Sequence, residues 1–302
     1  METSPDLSVV VLTYNTRKLT LACLRSLYTQ ADIARCEVIV VDNASGDRTA
    51  EVVAEAFAQV QLIRAEKNLG FGGGNNLGLI AARGRYVLLL NSDTEVQPDA
   101  LSALIDFMDA HPEAGACGPM LLNTDGSLQP SGRALPTAGS VFLDMTRLYR
   151  LTRRSVFLEP GRDYDQVKQV GEISGAALLI RRAIFERIGG FDTGLFLFYE
   201  DVDLCKRLGD AGFGVYYVPQ AKVVHHWGGT MRKVSQIAYQ AGQDSLRYYF
   251  AKHHSWRAQF VISALLAAKE LALTLAAIVR GRRNEYYFHR RLLARLTKPM
   301  DV

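Results

Sequence analysis

What most restricts the fold of this chain is a repeated alternation over residues 7–96. Short unbroken apolar runs end in small polar or acidic side chains, and stretches of helical spacing separate them. Tyr86–Leu90 (YVLLL) has the pattern of a strand buried on both faces, Leu7–Leu12 (LSVVVL) is likewise a buried-strand pattern, and Glu37–Asp42 (EVIVVD) and the short run in VQLIRAEKNLG read as two further strands. Between them, Leu19–Gln30 repeats apolar residues at Leu21, Leu24, Leu27 and Tyr28, and Thr49–Phe57 and Asn75–Gly84 read as two further helices. Strands and helices in this alternation predict an α/β fold built on a mostly parallel, doubly wound sheet. Ligands of such sheets bind beyond the carboxyl ends of the strands. Here those ends carry Thr13, Tyr14 and Asn15, then Asp42 and Asn43, then Asn91, Ser92 and Asp93.

Bulk properties narrow the classes. The chain of 302 residues has 48% apolar and 22% charged residues, a globular rather than a disordered composition. Its four cysteines form no C-x-x-C pair, which predicts neither a zinc site nor a disulfide framework and fits a reducing compartment. The N-terminus shows no signal-peptide pattern. The net charge of +4 is unevenly spread: residues 231–302 hold 13 of the 35 basic residues but only 4 of the 31 acidic ones. An acidic body with a basic tail predicts a phosphate-bearing surface as partner.

Three stretches carry chemistry. In NSDT, a carboxylate at a strand end can hold a divalent cation whose remaining ligands are water and phosphate, with His225 or His226 as a second protein ligand. YEDVDLCKR groups Glu200, Asp201 and Asp203, which reads either as a general base among like charges or as an acidic first turn favoured by a helix dipole. NLGFGGGNNLG, Asn68–Gly78, is glycine-rich before a helix and predicts a loop that lets backbone approach a nucleotide. It has neither the dinucleotide fingerprint nor a P-loop lysine. No hydrolase nucleophile signature is present.

Taken in order, VVVLTYNTRKLTLACLRSL, EVIVVDNASGDRT, NLGFGGGNNLG, YVLLLNSDTEV, SGAALLIRRAIFERIGGFD, YEDVDLCKRL and VVHHWGGT closely resemble the family 2 glycosyltransferases of the GT-A fold. Within that family they are most similar to the bacterial rhamnosyltransferase-like branch that builds cell-surface polysaccharides. The resemblance covers about residues 7–230 and implies a catalytic domain over 1–230. It implies that Thr13, Tyr14, Asn15, Asp42 and Asn68 surround the nucleoside, with Asn91, Ser92 and Asp93 at the diphosphate. Asp93 would be the metal aspartate of the D-x-D motif, Mg2+ or Mn2+ the cofactor and His225 the late metal ligand, with His226 as alternate. Asn91 replaces the first aspartate of that motif. Asp201 would be the catalytic base and Glu200 would lie towards the acceptor. The activity implied is inverting, single-sugar transfer, possible from dTDP-rhamnose, a UDP-hexose or GDP-mannose, because the Q-x-x-R-W motif of processive synthases is absent. A catalytically degenerate scaffold and a sugar nucleotidyltransferase are the competing readings.

The rest of the chain is less regular. Residues 123–170 read as a surface insertion or as a loop over the site. Phe260–Ile278 is long and apolar, but Lys269 and Glu270 at its centre argue against spanning a bilayer. A helix in the membrane interface or packed against protein is expected instead, followed by the basic, aromatic RGRRNEYYFHRRLLARL. Residues 231–302 are thus expected to form a basic helical region. It would hold the protein peripherally on the cytoplasmic face of the membrane, near an acceptor carried on polyprenyl diphosphate. No nucleic-acid partner is expected.

Overall fold

The computed structural model describes residues 5–148, 164–226, 235–296 and 300. The chain divides into two compact units, Met1–Leu135 with Gly161–Ser235, and Pro136–Pro160 with Gln236–Val302.

In the first unit the predicted alternation appears as β1 (Leu7–Thr13), α1 (Arg17–Tyr28), β2 (Cys36–Asp42), α2 (Thr49–Ala56), β3 (Gln61–Arg64), α3 (Gly70–Ala81) and β4 (Tyr86–Asn91). It continues through β5 (Thr94–Val96), α4 (Ala100–Ala110), β6 (Ala114–Leu122), β7 (Leu128–Gln129) and β8 (Gly132–Arg133). After α5 (Ala138–Met145), which belongs to the second unit, come β9 (Lys168–Val170), β10 (Glu172–Ile173), β11 (Ala177–Arg181), α6 (Arg182–Arg187), α7 (Glu200–Asp210) and β12 (Gly214–His225). The main sheet runs β3-β2-β1-β4-β11-β6-β12-β5. Its first four strands are parallel, as expected. The rest is mixed, because β11 inserts antiparallel between β4 and β6 and β5 pairs antiparallel with β12. These pairings join distant segments, and no local pattern encodes them.

Burial on both faces accounts for the apolar runs of β1, β2 and β4, whereas the edge strand β3 has no buried residue. Val9, Val11, Leu88 and Leu90 pack with Leu24 and Leu27 of α1 on one face. Val10, Val87 and Leu89 pack with Leu79, Phe185 and Leu208 on the other. Register then levels the strand ends, with Thr13 opposite Asp42 and Leu12 opposite Asn91.

The glycine-rich segment departs from expectation. It is not a loop but the first turns of α3, which starts at Gly70 rather than near Asn75. Its glycines serve packing: a Cβ on Gly74 would overlap Leu12, one on Gly78 would overlap Val10, and one on Gly72 would lie 2.9 Å from Cβ of Phe191. Only Gly70 needs its conformational freedom, at φ +75° against the Phe196 carbonyl. The helix therefore lies directly on β1.

The second unit holds α5, α8 (Ser235–His253), α9 (Trp256–Val279) and α10 (Arg283–Leu296). The expected apolar helix is α9, and it is long and apolar enough to cross a membrane by composition. Its Glu270 is fully buried and accepts hydrogen bonds from Tyr239 (2.6 Å) and Gln243 (2.6 Å) of α8, and pairs with His289 of α10 at 2.7 Å. Lys269 lies over the Tyr239 ring at 4.8 Å. The central charges thus have protein partners. Most of the basic run that begins at Thr146 and the WGGT segment fall outside the described residues.

The packing of α3 yields a prediction. Alanine exceeds glycine in helix propensity by about 1 kcal/mol. Gly78→Ala is nevertheless expected to lower stability by about 1–3 kcal/mol, because its methyl group overpacks Val10. Urea unfolding checks this, and an unchanged or raised midpoint would show that α3 can back away from the sheet.

Candidate active site

At the end of β2, Asp42 is buried; its Oδ2 accepts from the Ser45 N–H at 3.3 Å, and its Oδ1 has no partner. Buried polar atoms without a partner are rare in folded proteins, so this oxygen marks the end of β2 as a place where a water or a ligand group is needed. Beside it, Asn43 clamps the entry to α3. Its Oδ1 accepts from Leu69 N (2.9 Å), and its Nδ2 donates to Asn68 Oδ1 (3.0 Å) and to the Gly70 carbonyl (3.0 Å).

The β1 loop residues divide by role. Thr13 is fully buried, and its hydroxyl meets those of Thr16 (3.0 Å) and Thr20 (2.8 Å). Thr16 in turn meets the Ser92 hydroxyl at 2.8 Å, so Thr13, Thr16, Thr20 and Ser92 form one hydroxyl network that ties β1, α1 and the β4 turn together. Asn15, at φ 55°, stitches two loops: its N–H donates to Ser45 Oγ (2.9 Å) and its Oδ1 accepts from Gly46 N (2.8 Å). Tyr14 is 36% exposed at this rim. Thr13, Asn15, Asn68 and Ser92 thus hold the loops at these strand ends, while Asp42 keeps an unpartnered oxygen and Tyr14 an exposed ring.

Beyond Ser92, the antiparallel pairing of β5 with β12 sets His225 opposite Thr94. Asp93 Oδ1 then lies 3.4 Å from His225 Nε2. His226 is engaged differently: its N–H donates to the Asp93 carbonyl at 2.8 Å and its Nε2 lies 2.7 Å from Glu95 Oε1. Gln129, which sequence reasoning missed, lies behind His225. Its Nε2 donates to Asn123 Oδ1 at 2.9 Å, which turns its Oε1 towards His225 Nδ1 at 2.6 Å. An amide oxygen only accepts, so Nδ1 carries a hydrogen, and in the neutral imidazole Nε2 then presents its lone pair on the Asp93 side. A carboxylate and an imidazole nitrogen this close can both reach one Mg2+ or Mn2+ ion. Among the described residues no cluster of three or more His, Cys, Asp or Glu offers a fuller metal site. Asn91 binds through its backbone, donating to the Ala176 carbonyl at 2.9 Å.

That bond leads to the third group. Gly175, next to Ala176, donates its N–H to Asp201 Oδ2 at 2.9 Å, and Val202 donates to Oδ1 at 2.9 Å. Phe198 and Tyr199, at φ 70° and 67°, turn the chain sharply into α7. The loop before them is held on α3 by two bonds between the Asn76 side chain and the Phe191 backbone, 2.8 and 2.9 Å. Glu200 is buried with Oε1 unpartnered, and burial, then the Asp201 charge, holds its carboxyl well above the usual range. Glu172 of β10, also missed, is pushed up to about 8 by burial and then by Asp201, against the opposing charge of Arg133. Its only sequence signal is a lone carboxylate at the head of an apolar run. Asp203 is structural: it pairs with Arg207 at 2.7 Å, and Arg207 also caps the Ile188 and Gly190 carbonyls. Burial therefore pushes two carboxyls around Asp201 towards the neutral form.

Glu172 makes stability pH-dependent. The unfolded chain releases this proton near 4.5, whereas the folded chain keeps it to about 8. The stabilisation is complete below the lower value and is lost as pH rises through the upper one. Glu172→Gln should therefore gain in Tm relative to the parent between pH 5 and pH 8.5, and parallel Tm curves would refute the assignment.

The chain is similar to known proteins in both sequence and fold. The sequence pattern described as Glycosyl transferase family 2 matches residues 8–189. The N-acetylglucosaminyl-diphospho-decaprenol L-rhamnosyltransferase of Mycobacterium tuberculosis (strain ATCC 25618 / H37Rv) is 32% identical over 82% of this chain and 86% of its own. Rhamnosyltransferase WbbL of Escherichia coli (strain K12) is 26% identical over 65% of this chain and 75% of its own. The solved mannosyltransferase PcManGT from Pyrobaculum calidifontis, in complex with GDP-Man and Mn2+, superposes with a TM-score of 0.59 at 20% identity, over 97% of this chain and 86% of that one. It shares the fold. With the matched pattern spanning more than half of its length, this chain belongs to glycosyltransferase family 2.

Proposed function

We propose that the protein transfers a single sugar, rhamnose, with inversion from a nucleoside-diphosphate donor to a hydroxyl of a polyprenyl-diphosphate-linked acceptor. The work would be done on the cytoplasmic face of the membrane, with the C-terminal helices in contact with it. One observation carries the reading. One end of the sheet carries an unpartnered, buried Asp42 oxygen, the Asp93–His225 pair and Asp201. The sugar and the lipid-linked acceptor are supported by the name of the mycobacterial relative.

In this reading Asp42 Oδ1 accepts a hydrogen bond from the base or ribose, and Tyr14 packs on the nucleoside from the rim. Asp93 and His225 hold the divalent cation, with Gln129 fixing the imidazole tautomer. Bound there, Mg2+ or Mn2+ supplies positive charge against the departing nucleoside diphosphate. Asp201, oriented by the Gly175 and Val202 N–H groups, accepts the proton of the acceptor hydroxyl as its oxygen attacks the anomeric carbon. Burial pushes Glu200 and Glu172 towards the neutral form, which lessens the negative charge facing the diphosphate.

Two outcomes test this. With dTDP-rhamnose and a lipid-linked acceptor, Asp201→Asn should lose about a hundred- to ten-thousand-fold in kcat while donor affinity by calorimetry is retained. Near-parental turnover would remove Asp201 from the base role. Gln129→Met should weaken Mn2+ binding by about 10- to 100-fold, read by titration calorimetry without acceptor. Unchanged Mn2+ affinity would separate His225 from the metal.

A further inference from the structure

Helix α9 is built inside out. Its buried face carries Glu270 and Thr274 together with Ile262, Leu266 and Ala277. Its exposed face is an apolar stripe through Val261, Ala264, Ala268, Leu271, Leu275 and Ile278, with Ile278 57% exposed. A helix facing water puts its polar residues outward. This one sends a carboxylate inward to Tyr239, Gln243 and His289 and leaves aliphatic side chains outside, the distribution found where the surroundings are hydrocarbon.

Both ends of the stripe are marked. At its start Trp256 is 70% exposed, with Arg257 over its ring at 5.5 Å. At its end the chain turns at Gly281 into α10 and opens a groove of about 630 Å³ lined by Ala277, Ile278, Arg282, Arg283, Tyr286 and Tyr287. No acidic side chain lines this groove; Glu285 beside it pairs with Arg282 at 3.0 Å, an exposed ion pair of the weak surface kind that a phosphate can displace. Aromatic rings with arginines beside an aliphatic face are the composition of a helix at a lipid headgroup boundary.

We propose that this face docks on an anionic phospholipid bilayer, with the stripe of α9 among the upper acyl chains and a lipid phosphate seated between Arg282, Arg283 and the two tyrosines. The helix lies along the surface rather than across the bilayer. Crossing would carry with it the charges of its partners, among them Asp244 and Arg295, which pair at 2.7 Å between α8 and α10. A second copy of the chain is the poorer occupant, since a two-fold contact would bring one arginine groove towards another. The inference deepens the membrane contact proposed above and rests on that reading.

Flotation of the full-length protein with phosphatidylcholine vesicles, with and without phosphatidylglycerol, tests it. The parent protein should float with the anionic vesicles. Leu275→Glu with Ile278→Glu should lower partitioning at least tenfold. Arg282→Gln with Arg283→Gln should lower it about fivefold per arginine and erase the preference for phosphatidylglycerol. All variants should keep the parental circular dichroism and donor-hydrolysis rate, since none touches the sugar-transfer site. If the parent itself does not float, the membrane reading fails. If it floats and both double variants float equally well, that reading stands and this docking face is wrong. A lipid-free dimer that Leu275→Glu converts to monomer, seen by light scattering, would assign the stripe to a second copy and overturn the proposal.

Discussion

The parallel pairing of β1 with β2 and β4 is the constraint on which the site depends. Because Thr13 lies opposite Asp42 and Leu12 opposite Asn91, three polar strand ends stop at one level and share one crevice. Side chains alternate along a strand, so a slip of one residue would turn Asp42 and the residues below it to the opposite face. The close approach of α3, through glycines whose side chains would collide with Leu12 and Val10, locks β1 from one face. The threonine chain locks it from the other. Rigidity at the strand ends comes from this double contact, and the crevice inherits it.

Around that edge the protein handles like charges by unequal burial. Asp201 is flanked by Glu172 and Glu200, and three carboxylates in one cleft would repel one another. Glu200 and Glu172 are buried with an unpartnered oxygen each, and desolvation pushes both carboxyls towards the neutral form. Asp201 is the member that receives two backbone N–H groups. The histidines are sorted by a similar economy of partners: Glu95 engages His226, while Gln129 turns His225 so that Nε2 meets Asp93. In the second unit the same rule works in reverse, since partners for Glu270 lie inside the bundle and aliphatic residues are left outside.

Much of this was legible in the chain. The first four strands, the polar residues at their tips and the acidic start of α7 follow from local periodicity and composition. The glycine-rich segment misled, because a run of glycines before a helix signals either a loop or a close helix–sheet contact, and only the neighbouring Leu12 and Val10 tell the two apart. Glu172 and Gln129 left almost no local trace. Each acts through a residue far away in sequence, as in the Gln129–His225 bond across 96 positions.

The sequence by itself determined which segments become buried strands, which polar residues sit at their carboxyl ends, and that an acidic body is followed by a basic helical tail. These features depend on side-chain period, burial and charge, which neighbouring residues set. Only the tertiary structure decided that β11 runs antiparallel beside β4, that His225 rather than His226 meets Asp93, that Glu172 loses its charge, and that α9 turns its carboxylate inward. Each of those depends on which distant segment packs alongside, and on the water that contact removes.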